Sequence, residues 1–148
     1  MKIYIFEPHP DDLLMAVGHS IFDWIKEGHD INIITVTDGR ACYRKTKEKL
    51  DEQTANMTED QVAEMRINEA RKVDEFLIIN PEKHYFLYFH DADGQKYVRK
   101  GIKKVKKIIQ DAERLVLPSN NNRHIDHQAI HDIAINAAKE LNLNDIEY

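Results

Sequence analysis

Residues 2–7 and 31–36 are two β-rich runs, and the stretch between them carries its apolar residues at helical spacing. This strand–helix–strand order constrains the chain more than any other feature. From residue 12 to 27, Leu14, Val17, Ile21, Phe22 and Ile25 follow the 3.6-residue period, and Gly28 stands where a helix stop belongs. The 31–36 run is dominated by Ile and Val, as expected for a strand covered on both faces.

The alternation continues along the chain. Residues 37–57 are polar, without a strong period, and read as a solvated loop with a helical turn near 45–50. Thr58 and Gln61 form a capping-box pattern that opens a helix, with Val62, Met65, Ala70, Val73 and Phe76 on its inner face. Residues 84–89 give a third strand. After Gly94, Val98, Ile102, Val105 and Ile109 fall at helical spacing, so the basic stretch 99–107 reads as a solvated helix face. Residues 115–117 form a short fourth strand stopped by Pro118. Residues 126–141 form a last helix with Ala129, Ile130, Ile133, Ala134 and Ala137 inward, and 145–148 look like the start of another strand.

The expected fold is therefore α/β: a Rossmann-like three-layer sandwich with a mostly parallel sheet, helices on both faces and right-handed crossovers, in one domain over 1–148. In the commonest doubly wound order the first and fourth strands are neighbours at the switch point. Ligands bind there, outside the carboxyl ends of the strands. Chemistry is expected just after Glu7 and just after Leu117.

Composition narrows the function classes. The formal net charge of −5 argues against a nucleic-acid partner. No apolar run approaches the ~20 residues that span a bilayer, and the first residues do not read as a secretory signal. Cys42 is the single cysteine, so no internal disulfide forms. A cytoplasmic location is the expectation.

Both expected positions carry metal-ligand chemistry. After the first strand stands Pro8-His9-Pro10-Asp11-Asp12, and after the fourth His124-Ile125-Asp126-His127. Imidazoles and carboxylates from two facing turns build a mixed N/O site of the kind zinc accepts at ~2.0–2.2 Å, with one position left for water. Pro10 restricts the backbone between His9 and Asp11. Each motif has a plain structural reading as well. An Asp pair after a strand caps the next helix, and two histidines open a surface helix. Their joint occurrence at two strand ends expected to meet is what favours chemistry.

With these residues in hand, the sequence resembles the PIG-L/LmbE family of zinc-dependent N-deacetylases. That family has a His-Pro-Asp-Asp motif after its first strand and a His-x-Asp-His motif after a later one, and both stand intact here. Thr37-Asp38-Gly39 and the Arg66/Glu69 pair support the likeness. The resemblance implies that His9, Asp12 and His127 hold Zn2+ and that Asp11 is the general base. His124 would stabilise the oxyanion, and Asp126 would orient or charge-tune a site histidine. Arg66 would lie near the mouth and contact substrate. Asp91 or Asp93 would line the pocket, against the alternative of a simple Asp/Gly turn. The substrate would be a small N-acetylated sugar conjugate of the N-acetylglucosamine type.

Two departures stand out. Leu13 occupies a place where the family usually has Glu, and family members usually continue well beyond the His-x-Asp-His helix. The chain is then either a compact member or one lacking the usual C-terminal extension; an open sheet edge would invite homo-oligomerisation. Fe2+ suits the same donors. The competing functions are another metal hydrolase, such as a phosphoesterase, and a metal-binding member without turnover. No Gly-x-Gly-x-x-Gly follows the first strand, which argues against a dinucleotide site.

Overall fold

The computed structural model describes residues 1–44 and 49–143. The expected strand at 145–148 and most of the expected turn at 45–50 lie outside the described residues. Four strands, β1 (Lys2–Glu7), β2 (Asp30–Thr37), β3 (His84–Phe89) and β4 (Arg114–Val116), form one sheet of order β3-β2-β1-β4. All three pairings are parallel. Among the described residues, the α-helices are α1 (Asp12–Lys26), α2 (Glu52–Ala55), α3 (Glu59–Leu77), α4 (Val98–Val105) and α5 (Ile125–Glu140). The expected α/β fold, with β1 and β4 adjacent, is what the chain adopts.

The layers follow from the two-residue period of the strands. Ile3 and Ile5 of β1 and Ile31 and Ile33 of β2 pack with Leu13 and Ile21 of α1 and with Leu77. Tyr4, Phe6, Ile34 and Val36 point the other way, into a core with Val105, Ile109, Ile130 and Ile133. Both faces of the central strands are thus buried, which is why 31–36 reads as nearly unbroken apolar sequence. β3 carries a bulge against β2, with the register changing between Thr35 and Thr37. Tyr88, at φ +53°, takes up the turn in the chain and is exposed, while Phe89 is buried.

The α3 capping box forms as its sequence indicates: Gln61 N–H donates to Thr58 Oγ1 at 3.2 Å, and Thr58 N–H donates to Gln61 Oε1 at 2.8 Å. Its buried stripe differs from the expected one. Val62, Ala63, Ile67, Ala70, Asp74 and Leu77 are inside, whereas Phe76 is 73% exposed and meets Phe22 edge-on at the surface. The reason is Asp74, which turns inward to bond His84 Nδ1 at 2.7 Å. In α1 likewise, Leu13 and Ile21 are buried while Leu14 and Phe22 are exposed. The polar segment after β2 contains α2, N-capped by Asp51, whose carboxylate accepts from Thr54 N–H. α4 keeps its basic residues outward as expected, except that Lys104 Nζ donates to Leu87 O and lies over the Phe89 ring.

Ile34 is fully buried at the centre of the sheet. Its truncation in Ile34→Ala leaves a cavity that the parallel sheet cannot collapse around. The expected loss is about 2–5 kcal/mol of unfolding free energy, read by urea denaturation.

Candidate metal centre

Parallel pairing of β1 with β4 brings the turn after β1 and the start of α5 to the same sheet edge. Two groups of side chains there have ligand atoms within 4.8 Å of one another: His9, Asp12 and His127, and His9, His124 and Asp126. His9 belongs to both. Its Nδ1 is 2.9 Å from Asp12 Oδ2, and its Nε2 is 3.1 Å from Asp91 Oδ1 and 3.3 Å from Asp126 Oδ2. His127 Nε2 is 3.5 Å from the same Asp12 oxygen.

The electrostatics follow from this crowding. Burial alone would lower the pKa of His9, but the carboxylates of Asp12, Asp126 and Asp91 outweigh it and raise the value to about 11. Burial likewise works against ionised Asp12, yet His9 holds its carboxyl below the usual range. His127 goes the other way, pushed down mainly by burial, and so favours the neutral form that ligates metals. Three carboxylates around one imidazole form a negative cluster that needs a cation, and a proton on His9 supplies one.

The two groups differ in what they can offer an ion. Asp126 is fully buried and already accepts from the backbone amides of Ala92 at 2.8 Å and Gly94 at 2.7 Å. Burial disfavours its ionised form, but His9 and these amides hold its pKa down to about 2. Asp126 is thus a tether between α5 and the turn after β3. A Cβ at Gly94 would come within 2.5 Å of Asp126 Oδ1, so the glycine is what lets the turn approach. Asp12 and His127, in contrast, are partly open and line a cavity of about 500 Å³ with His9. His9, Asp12 and His127 form the group that fits a divalent ion: two nitrogens and one oxygen, converging, with space beside them.

The same cavity is lined by Asp11, Gly39, Cys42, Arg66, Asp91 and His124. Asp11 sits at the N-cap position of α1, yet its carboxylate does not cap the helix. It pairs instead with Arg66 Nη2 at 2.8 Å, while Arg66 Nη1 donates to Glu69 at 3.0 Å. Arg66 Nε is buried, and nothing among the described residues accepts from it. His124 caps α5, its Nδ1 accepting from Asp126 N–H at 3.4 Å. That places a neutral ring's proton on Nε2, the nitrogen able to donate to a ligand. Asp91 is buried and accepts from Ala41 N–H at 2.9 Å.

Asp93 is not brought to the cavity. It caps the 3-10 turn Gly94–Tyr97 by position, and its carboxylate pairs with Lys96 at 2.7 Å. Ala92, at φ +67°, separates the directions of the two aspartates. Cys42 stands in the cavity wall, with its thiol pKa raised chiefly by burial.

Sequence reasoning did not single out Glu7, Thr35 or Asp74, although Thr35 bonds Glu7 directly and His84 joins Thr35 to Asp74 beneath the β1 turn. A signal was present. Glu7 and Thr35 stand where Ile3, Ile5, Ile31 and Ile33 set an apolar row on the same face.

A family model described as PIG-L, GlcNAc-PI de-N-acetylase, matches residues 4–138. No curated protein matches significantly by sequence. Among solved structures, the chain is similar to an N,N'-diacetylchitobiose deacetylase from Pyrococcus horikoshii. The TM-score is 0.78 and the identity 24%, over 93% of this chain and 49% of that one. It is also similar to a triple mutant of a deacetylase of the teicoplanin biosynthetic pathway. There the TM-score is 0.77 and the identity 22%, over 96% of this chain and 61% of that one. A 4-carboxy-2-hydroxymuconate hydratase from Pseuodomonas putida KT2440 shares the fold more loosely, with a TM-score of 0.65 and 20% identity, over 97% of this chain and 56% of that one. The chain thus spans about half to three fifths of the length of these structures. Likeness at this level shows the fold, and the fold alone does not fix a reaction.

Removing the tether should be costly even without metal. Asp126→Ala strips the partner from the Ala92 and Gly94 amides and leaves His9 with fewer counter-charges. The expected destabilisation is about 3–5 kcal/mol in metal-free protein, measured by urea unfolding. Unchanged stability would show that Asp126 does not hold the two segments together.

Proposed function

As the chain belongs to the PIG-L family of GlcNAc-PI de-N-acetylases, we propose that it is a zinc-dependent hydrolase that removes an N-acetyl group from an N-acetylglucosamine-type sugar conjugate. The observation that carries this reading is the convergence of His9, Asp12 and His127 to within 4.8 Å, beside a cavity that Asp11 and His124 also line.

His9, Asp12 and His127 would hold the ion. Hydrolysis of an amide needs Lewis acidity without redox change, which favours zinc over Fe2+ among the metals these donors suit. When bound, zinc supplies polarisation of the acetyl carbonyl and a water more acidic than bulk. The chain's own residues do the rest. Asp11 accepts a proton on its carboxylate from the attacking water and returns it to the departing sugar nitrogen. Arg66 fixes the direction of that carboxylate through the 2.8 Å ion pair and lines the cavity in which the sugar would lie. His124 Nε2–H offsets charge on the carbonyl oxygen as the carbon becomes tetrahedral. Asp91 supports His9 from the side away from Asp12. A cavity of about 500 Å³ accommodates an amino-sugar unit.

The test is acetate release from a panel of N-acetylglucosamine conjugates, with zinc and with a chelator, alongside phosphate release from phosphoesters. Zinc-dependent acetate release is expected. Phosphate release without acetate release would overturn the assignment. Asp11→Ala should lower kcat by about 10²–10⁴-fold while zinc Kd stays within a few-fold. His127→Ala should lose zinc itself.

A pH dependence follows with a definite sign. The metal-free protein holds a proton on His9, whose pKa is raised to about 11, and ligation must displace it. Zinc affinity should therefore rise with pH, by about tenfold per unit between pH 6 and 8 for one proton released. Calorimetry in buffers of different ionisation enthalpy counts that proton. A pH-independent affinity would mean that His9 carries no proton before zinc binds, or that it is not a ligand.

A further inference from the structure

α1 begins with a carboxylate at its N-cap position, Asp11, that caps nothing, because Arg66 draws it toward the cavity. Asp12 is also engaged elsewhere, its Oδ2 accepting from His9 N–H and lying against His9 Nδ1, each at 2.9 Å. A helix start without a side-chain acceptor leaves amide donors unmatched. Here the acceptor comes from below. Glu7, the last residue of β1, is buried, and its Oε2 accepts from Leu13 N–H at 3.1 Å.

Glu7 is itself held. Its other oxygen accepts from the Thr35 hydroxyl, its parallel neighbour on β2. Thr35 Oγ1 is 2.6 Å from His84 Nε2 at the start of β3, and His84 Nδ1 is 2.7 Å from Asp74 on α3. All four residues are buried. Their chain crosses three strands and ties two helices on one face of the sheet. Thr37 fixes the same turn from above, its Oγ1 donating to Pro8 O at 2.7 Å. The segment between Glu7 and Leu13, which carries His9, Asp11 and Asp12, is therefore pinned at both ends.

We propose that Glu7 is a positioning residue. It caps α1 in place of Asp11 and, through Thr35, His84 and Asp74, locks the turn that presents His9 and Asp12, so that Asp11 and Asp12 are released for the site. This rests on the reading of His9, Asp12 and His127 as metal ligands. The carboxylate sits six residues from the amide it caps, at the end of a strand, which frees both aspartates of the turn from the local hydrogen bonding that such residues otherwise adopt.

The experiment compares zinc Kd, kcat, KM and Tm for wild type, Glu7→Leu, Glu7→Gln, Thr35→Val and a packing control, Ile109→Val, from the opposite core. Glu7→Leu should weaken zinc binding by about 10–100-fold and lower kcat with little change in KM. Glu7→Gln retains an oxygen for the Leu13 amide and should recover most of both. Thr35→Val cuts only the hydroxyl link, keeps the shape of the strand, and should fall between them; it stands in if Glu7→Leu does not fold. Ile109→Val should lower Tm without moving zinc Kd. Wild-type Kd and kcat in Glu7→Leu, or no recovery in Glu7→Gln, would overturn the positioning role and leave the metal site standing. Wild-type protein that binds no zinc would overturn both.

Discussion

Everything at the site depends on β1 lying between β2 and β4 with all three strands parallel. Parallel pairing sends the carboxyl end of every strand to one edge. The turn after β1, the Asp38–Gly39 segment after β2, the Asp91 turn after β3 and the start of α5 after β4 have no other place to go. Helices on both faces bury the sheet, so polar side chains that belong to none of the layers gather on this edge. The His/Asp cluster is then a consequence of strand order before it is a matter of residue choice.

What the residues add is a charge problem with a local answer. Asp12, Asp91 and Asp126 approach one imidazole, and burial makes each ionised group costly unless it is compensated. Asp126 is satisfied by the Ala92 and Gly94 amides, and Asp91 by the Ala41 amide. These two act as fixed supports joining separate segments. Asp12 accepts a backbone bond only within its own turn, from His9 N–H, and faces the cavity with His9 and His127. The division of the carboxylates into supports and one that faces the cavity is set by the backbone N–H groups they meet. Beneath them, Glu7 relieves Asp11 of helix capping, and Arg66 aims the carboxylate at the cavity.

Much of this was legible in the sequence, for identifiable reasons. Strands covered on both faces leave a run such as Ile31 to Val36, and a helix stop leaves Gly28, so element order and parallel topology followed from local pattern. His9, Asp12, His124 and His127 drew notice because two dense motifs fell at the two ends that the topology brings together. Long-range pairings were not legible. Asp74 is inside α3 because His84 on β3 needs a partner, and that shifts the buried stripe and leaves Phe76 at the surface. Asp91 and Asp93 look alike in sequence; only the left-handed turn at Ala92 sends one to the cavity and the other to Lys96. Glu7 reads as a strand end and Thr35 as part of the apolar 31–36 run, although polar residues in an apolar row on a doubly covered sheet were the available clue.

The central claim is that one ion sits between the turn after β1 and the first turn of α5. Anomalous diffraction from crystals grown with zinc, collected on both sides of the zinc absorption edge, locates that ion directly. The account predicts one strong peak within ~2.0–2.2 Å of a nitrogen of His9, an oxygen of Asp12 and a nitrogen of His127. A zinc peak elsewhere with these three side chains unmoved, or none at saturating zinc, would contradict it.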